Sequence, residues 1–135
     1  MTYEIVKAAE RDIKDIFRET LKTFGAHQLV AYEQIIIRGL EMICDDPYRS
    51  GSLDRSELAP GVRFFHLELA AGRRGGAAHG LYYSTGRLSD GTAGTVVLRV
   101  LHERMEPRYK VVRSLRGFTK PAPPPRADMS EEPQA

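Results

Sequence analysis

The sequence predicts an α+β domain built from a short strand, an antiparallel helix hairpin and a three-stranded antiparallel meander. Three observations carry this. Two apolar stripes at helical spacing lie between Ala9 and Cys44, with Gly25 between them. Three apolar, strand-like segments follow, separated by glycine-rich turns. The chain has 135 residues, of which 41% are hydrophobic and 28% charged, the size and composition of one globular domain. A core of that size needs no disulfide or metal to fold.

The elements follow in order. Thr2 to Lys7 alternates weakly and reads as a strand. Ala9, Ile13, Ile16, Phe17, Leu21 and Phe24 form one face of a helix, and Gly25 stands where a C-terminal cap belongs. Leu29, Tyr32, Ile36, Leu40 and Ile43 repeat the pattern, widened by Ile35 and Cys44, until Asp45-Asp46-Pro47 ends it. So short a turn makes the helices an antiparallel hairpin. Tyr48 to Pro60 is polar and reads as a loop. Strands are expected over 62–70, 79–85 and 95–103, with turns at Gly72–Gly76 and Ser89–Gly94. Past Leu115 the chain is rich in proline, with Pro121, Pro123, Pro124, Pro125 and Pro133. Such a segment cannot offset its ordering entropy by burial. The domain is therefore drawn over 1–115 and a disordered tail over 116–135.

Composition narrows the function classes. Cys44 is the only cysteine, so no internal disulfide forms, and no Cys or His spacing suits a metal. The sequence points to no cofactor. The start carries no signal-peptide pattern and no apolar run is long enough for a membrane span, which places the protein in the cytoplasm. The net charge of +2 is unremarkable, but its distribution is not. Arg99, Arg104, Arg108, Lys110, Arg113, Arg116 and Lys120 gather late, opposed there only by Glu103 and Glu106. Acidic residues collect in the first half and around Glu131-Glu132. The basic segment is open to nucleic acid, an acidic protein surface or water.

The stretch Leu98-Arg99-Val100-Leu101-His102-Glu103-Arg104-Met105 resembles the ending of ParE-family toxins. So do Ala9-x-x-Asp12-Ile13-x-x-Ile16, Phe24-Gly25, Pro47-x-x-x-Gly51 and Pro60-Gly61-Val62-Arg63, in that order over residues 3–107. The chain is thus similar to the RelE/ParE superfamily, nearest its ParE (plasmid stabilisation) branch. That resemblance implies the toxin of a type II toxin–antitoxin system, neutralised by a cognate antitoxin in a hetero-oligomer. In the ParE branch the implied target is DNA gyrase, and in the RelE branch the implied action is mRNA cleavage in the ribosome. The loops at Gly72–Gly76 and Arg87–Gly94 and the proline-rich end depart from the family pattern, which bears on the target.

Candidate site residues follow from strand alternation and charge. On the last strand Val96, Leu98, Val100 and His102 share the face expected to pack on the helices, so Arg99 is expected on the open face. Arg63 is a second candidate for that face. Arg63, Arg99, Arg104 and Arg108 are the expected target-binding residues, since guanidinium binds phosphate and carboxylate bidentately. For Arg99 the competing expectation is an internal ion pair with a helix carboxylate. Arg73 and Arg74, flanked by glycines, are candidates for antitoxin contact or a solvated turn. The leading expectation is an inhibitor without catalysis of its own. An mRNA endonuclease would instead draw on Arg99, His102, Arg104 and Tyr109, with His102 as acid–base and an arginine on the scissile phosphate. A third reading is a degenerate toxin that serves only as co-repressor with its antitoxin. His27, His66 and His79 show no partner pattern and receive no role.

Because little after Leu115 can pack, removing those residues is expected to leave folding intact. A thermal melt of the truncated chain checks this, and a large drop in Tm contradicts it.

Overall fold

In a computed structural model, residues 3–117 are described. They form a mixed five-stranded sheet with helices on both faces. β1 (Tyr3–Ile5) leads into α1 (Lys7–Phe24) and α2 (Ala26–Asp45). Gly25 makes the sharp reversal between the helices. Its φ of 92° is one that a residue with a Cβ adopts only under strain. Its N–H donates to Leu21 O at 3.0 Å, and its carbonyl accepts from Leu29 N at 3.1 Å. One residue thus closes the first helix and opens the second.

The sheet order is β1-β5-β4-β3-β2, with β2 (Leu53–Asp54), β3 (Arg63–His66), β4 (His79–Arg87) and β5 (Ala93–His102). β3, β4 and β5 form the expected antiparallel meander. β1 joins the far edge in parallel with β5, Tyr3 opposite Thr95. β2 is a two-residue edge within the stretch read as loop.

The strand expected over 62–70 breaks after His66, and α3 (Glu68–Ala71) takes its second half. In a strand Leu67 and Leu69 would share a face. Here Leu67 is fully buried while Leu69 is 46% exposed. The helical turn lets Leu67 and Ala70 both enter the core. There a Cβ added at Gly39 of α2 would collide with Leu67 Cδ2. α3 closes at Gly72, left-handed with φ 80°. The basic segment after β5 also folds, as α4 (Arg108–Gly117). That helix crosses the expected domain boundary at 115 by two residues. The rest of the expected tail lies outside the described residues.

Two apolar clusters sit on opposite faces of the sheet. The first joins Ala9 and Ile16 of α1, Ile36, Leu40 and Ile43 of α2, and Phe65, Leu81, Tyr83, Val97 and Val100 of the sheet. The second joins Leu58, Val62, Tyr82, Val96, Leu98, Leu101 and Val111. The face expected to be open is therefore covered by the 55–62 segment and by α4. Val111 is fully buried in it, worth about 1.5–3 kcal/mol for one such side chain.

The expected facing of β5 is reversed for Val96 and Leu98, which pack on the side away from the helices, and a β-bulge then breaks the alternation. Tyr82 pairs with Arg99 and Tyr83 with Val97, leaving Leu98 as the extra residue. Before the bulge, Val96 and Leu98 face the second cluster; after it, Val100 faces the helices. Arg99 turns to α1 as well. Its Nε donates to Asp12 Oδ2 at 2.6 Å and its Nη2 to Asp12 Oδ1 at 2.7 Å. The Val100 amide adds a bond to Asp12 Oδ2 at 2.9 Å. Both side chains are largely buried, 18% and 12% exposed.

Asp12→Ala leaves a shielded guanidinium and the Val100 N–H without their acceptor, and is expected to cost about 3–5 kcal/mol in urea unfolding. The double variant Asp12→Leu with Arg99→Leu should recover part of that loss, because no charge is then left unpaired.

Candidate functional site

β4 and β5 end side by side, with His79 opposite His102, and the chain beyond β5 leads directly into α4. This end of the sheet and the segment after it carry half of the titratable groups singled out in the sequence, His102, Arg104, Arg108 and Tyr109, and two that were not. His66 and His79 received no role from the sequence, yet they meet His102 here. The His79 and His102 rings are edge to face, 5.3 Å between centroids. His66 Nε2 lies 2.7 Å from Glu103 Oε1. No local motif signals this, because the three histidines come from three different strands.

The hydrogen bonds fix the state of each ring. His66 Nδ1 accepts from Glu68 N–H at 3.1 Å, so Nε2 carries the proton and donates to Glu103. His102 Nδ1 accepts from Arg104 N–H at 3.1 Å. Tyr32 OH accepts from Ala78 N–H at 3.2 Å, leaving its own proton to donate to His79 Nδ1 at 2.7 Å. Each imidazole thus accepts a hydrogen bond at Nδ1. Burial, then the neighbouring His102, pushes the His79 pKa down to about 4. The hydrogen bond from His66 holds the Glu103 carboxyl below its usual range. Burial raises the Tyr32 phenol. Among the described residues no group of three His, Cys, Asp or Glu side chains is placed to hold a metal.

Past the histidines the surface becomes cationic and aromatic. Arg104, Met105, Arg108, Tyr109 and Arg113 are all exposed, Tyr109 at 72%. Among the described residues none of the three arginines has a side-chain ion pair. The helix that carries Arg108 and Arg113 is anchored by buried Val111 and Ser114, with Leu115 packed beside them. The amide of Arg108 donates to Glu106 Oε2 at 3.0 Å, fixing the entry into α4.

Residues 3–107 match the family model of the ParE toxin of type II toxin–antitoxin systems, parDE. The chain belongs to the ParE toxin family. No individual curated protein matches it. The family match ends one residue before α4, so the ParE-type domain is the sheet with its helix hairpin and the short α3. As a family member the chain is the toxin of a toxin–antitoxin pair, with an antitoxin as its partner. No described helix is long and apolar enough to cross a membrane.

The remaining candidates sit elsewhere in this ParE-type domain. Arg63 is half-buried at the start of β3, beside the β2 edge and at the opposite end of the strand from His66. Its Nε donates to Ser52 Oγ at 2.8 Å, which in turn meets Tyr83 OH at 2.5 Å, and Tyr83 OH donates to Pro47 O at 2.5 Å. The guanidinium also covers the Tyr48 ring, 4.8 Å from its centroid. Arg63 therefore fastens the end of α2 to the sheet. Arg99 is bound to Asp12 of α1 and Arg63 to Ser52, so the two arginines expected on one open face both turn to the helix side, at different places. Arg73 and Arg74 are exposed on a closed turn, which Gly76 N–H to Arg73 O and Gly75 N–H to Glu68 Oε1 hold in shape.

The low pKa of His79 sets a pH dependence. The folded value of about 4 lies below the ordinary 6.5, so the unfolded chain takes up the proton first. The stabilisation is complete above pH about 6.5 and is lost as pH falls towards 4. His79→Gln is expected to melt lower than the parent at pH 7, with a shallower fall in Tm between pH 7 and 4.5, by about 5 °C. Parallel melts of the two proteins check this.

Proposed function

We propose that this chain is a ParE-type toxin that inhibits DNA gyrase by binding, is neutralised by a cognate antitoxin in a hetero-oligomer, and acts in the cytoplasm without catalysis of its own. The observation that carries the reading is the exposed surface of Arg108, Tyr109 and Arg113 on an anchored helix, with exposed Arg104 in the turn before it. Exposed arginine beside an aromatic ring is the chemistry of an interface anchor. A pre-formed helix also spares the ordering cost of binding. Arg73 and Arg74, exposed on their fixed turn, are the proposed contacts for an acidic antitoxin segment. Arg63 and Arg99 contribute indirectly in this reading, by holding the sheet and helices that position α4.

Ribosome-dependent mRNA cleavage is the alternative that the wider superfamily offers, and it would draw on Arg99, His102, Arg104 and Tyr109. Arg99 is engaged with Asp12, and His102 Nδ1 accepts the Arg104 amide, so two of its four groups already have structural partners. That geometry favours the inhibitor.

Purified protein assayed on plasmid supercoiling by gyrase, and in parallel on mRNA of translating ribosomes, tests the reading. Supercoiling should be blocked and mRNA left whole. The variant Arg104→Gln, Arg108→Gln, Arg113→Gln should inhibit at least about tenfold less well, the loss of roughly one interface contact. Cleaved mRNA with unaffected gyrase would overturn the proposal.

A further inference from the structure

α1 carries a second cationic surface, on the side of the molecule away from α4. Lys7, Arg11, Lys14, Arg18 and Lys22 are all exposed. At 3.6 residues per turn they fall within about 80° of arc, directly opposite the buried Ala9 and Ile16. The line runs about 22 Å along the helix. Glu10, Asp15 and Glu19 flank it, and Arg18 Nη1 bonds Asp15 Oδ1 at 2.7 Å. Asp12, the remaining acid of the helix, is drawn inward to Arg99. The central sector is therefore wholly basic. Lys7 and Arg11 also stand in the first turns, at the positive end of the helix dipole, where helix stability disfavours a cation.

We propose that this face of α1 binds the phosphate backbone of duplex DNA, without reading sequence. The chemistry of the stripe selects the occupant. A protein partner would need an apolar anchor in the middle of the contact, and the sector has none, with Leu21 only at its margin. A membrane surface would need apolar residues to insert, which are likewise missing from it. Single-stranded nucleic acid is held largely by aromatic stacking, and no ring lies in the sector. Double-stranded RNA is distinguished by hydroxyl contacts from polar side chains, while this stripe offers charge alone. A straight row of cations matches the dense, regular charge of a DNA duplex. The apolar cluster of the helices and that of α4 lie on opposite sheet faces, so the two cationic surfaces can be occupied together. The inference does not depend on which target the toxin inhibits.

Fluorescence anisotropy of the full-length protein with a labelled duplex of about 20 base pairs, repeated over a range of salt, tests it. The parent should bind with log K falling against log salt at a slope of about −4.5, the value for five phosphate contacts. The variant Lys7→Gln, Lys14→Gln, Lys22→Gln keeps good helix formers at exposed positions, and its thermal melt should match the parent. Its slope should fall in magnitude by about 2.7 and its low-salt affinity by at least about tenfold. The variant Arg104→Gln, Arg108→Gln, Arg113→Gln should leave both unchanged. No binding by the parent at low salt, loss of binding in the C-terminal variant instead, or tighter binding of an RNA duplex of the same sequence would each overturn the proposal.

Discussion

The carboxylate of Asp12 ties the helical layer to the sheet. It accepts two bonds from the Arg99 guanidinium and one from the Val100 amide, all from the strand at the heart of the fold. β5 has β1 on one side, β4 on the other, α1 and α2 over one face and α4 over the opposite one. A shielded ion pair is a poor source of net stability, since desolvation takes back most of what attraction provides. Its value here lies in register. The bonds fall at Arg99 and Val100, immediately after the bulge at Leu98, so they hold β5 against α1 where its alternation breaks. Val97 and Val100 fill the helix side while Leu98 and Leu101 fill the side that α4 closes.

The sequence announces the hairpin and the meander because both are local. Apolar spacing from Ala9 to Cys44 and the glycine between the helices specify α1 and α2 with little help from the rest of the chain. What it conceals are events that depend on tertiary contact. Alternation misplaces Arg99 because the apolar Val96 and Leu98 look as if they face the helices, whereas they pack with Leu58, Val62 and Val111 on the opposite side. Leu67 and Leu69 look equivalent until the close approach of Gly39 admits one and turns the other outward. α4 is masked by its own charge: among its described side chains Val111, Ser114 and Leu115 pack inward, too few for a periodic signal to stand out among arginines and lysines.

The site was legible unevenly for the same reason. Arg104, Arg108 and Tyr109 are exposed, as their polar neighbourhood suggests. Arg63 and Arg99 are recruited into the framework. The histidine cluster could be foreseen only with the strand register in hand, since His79 meets His102 across β4 and β5. The basic line on α1 was hidden by averaging: acids and bases nearly cancel in the first half of the sequence, and only the helical wheel sorts them onto different faces.

The parallel pairing of β1 with β5 has a consequence for timing. Tyr3 must wait for Thr95, and Asp12 for Arg99, so β1 and α1 find their partners only when β5 exists. Translation proceeds at about 5–20 residues per second, so the hairpin spends seconds as a local structure with its apolar side uncovered. α4 comes later still, synthesised after every strand on which it docks. In a toxin this order is protective. The surface proposed to do harm is assembled last, and an unfinished chain, whatever it exposes, is not yet a weapon.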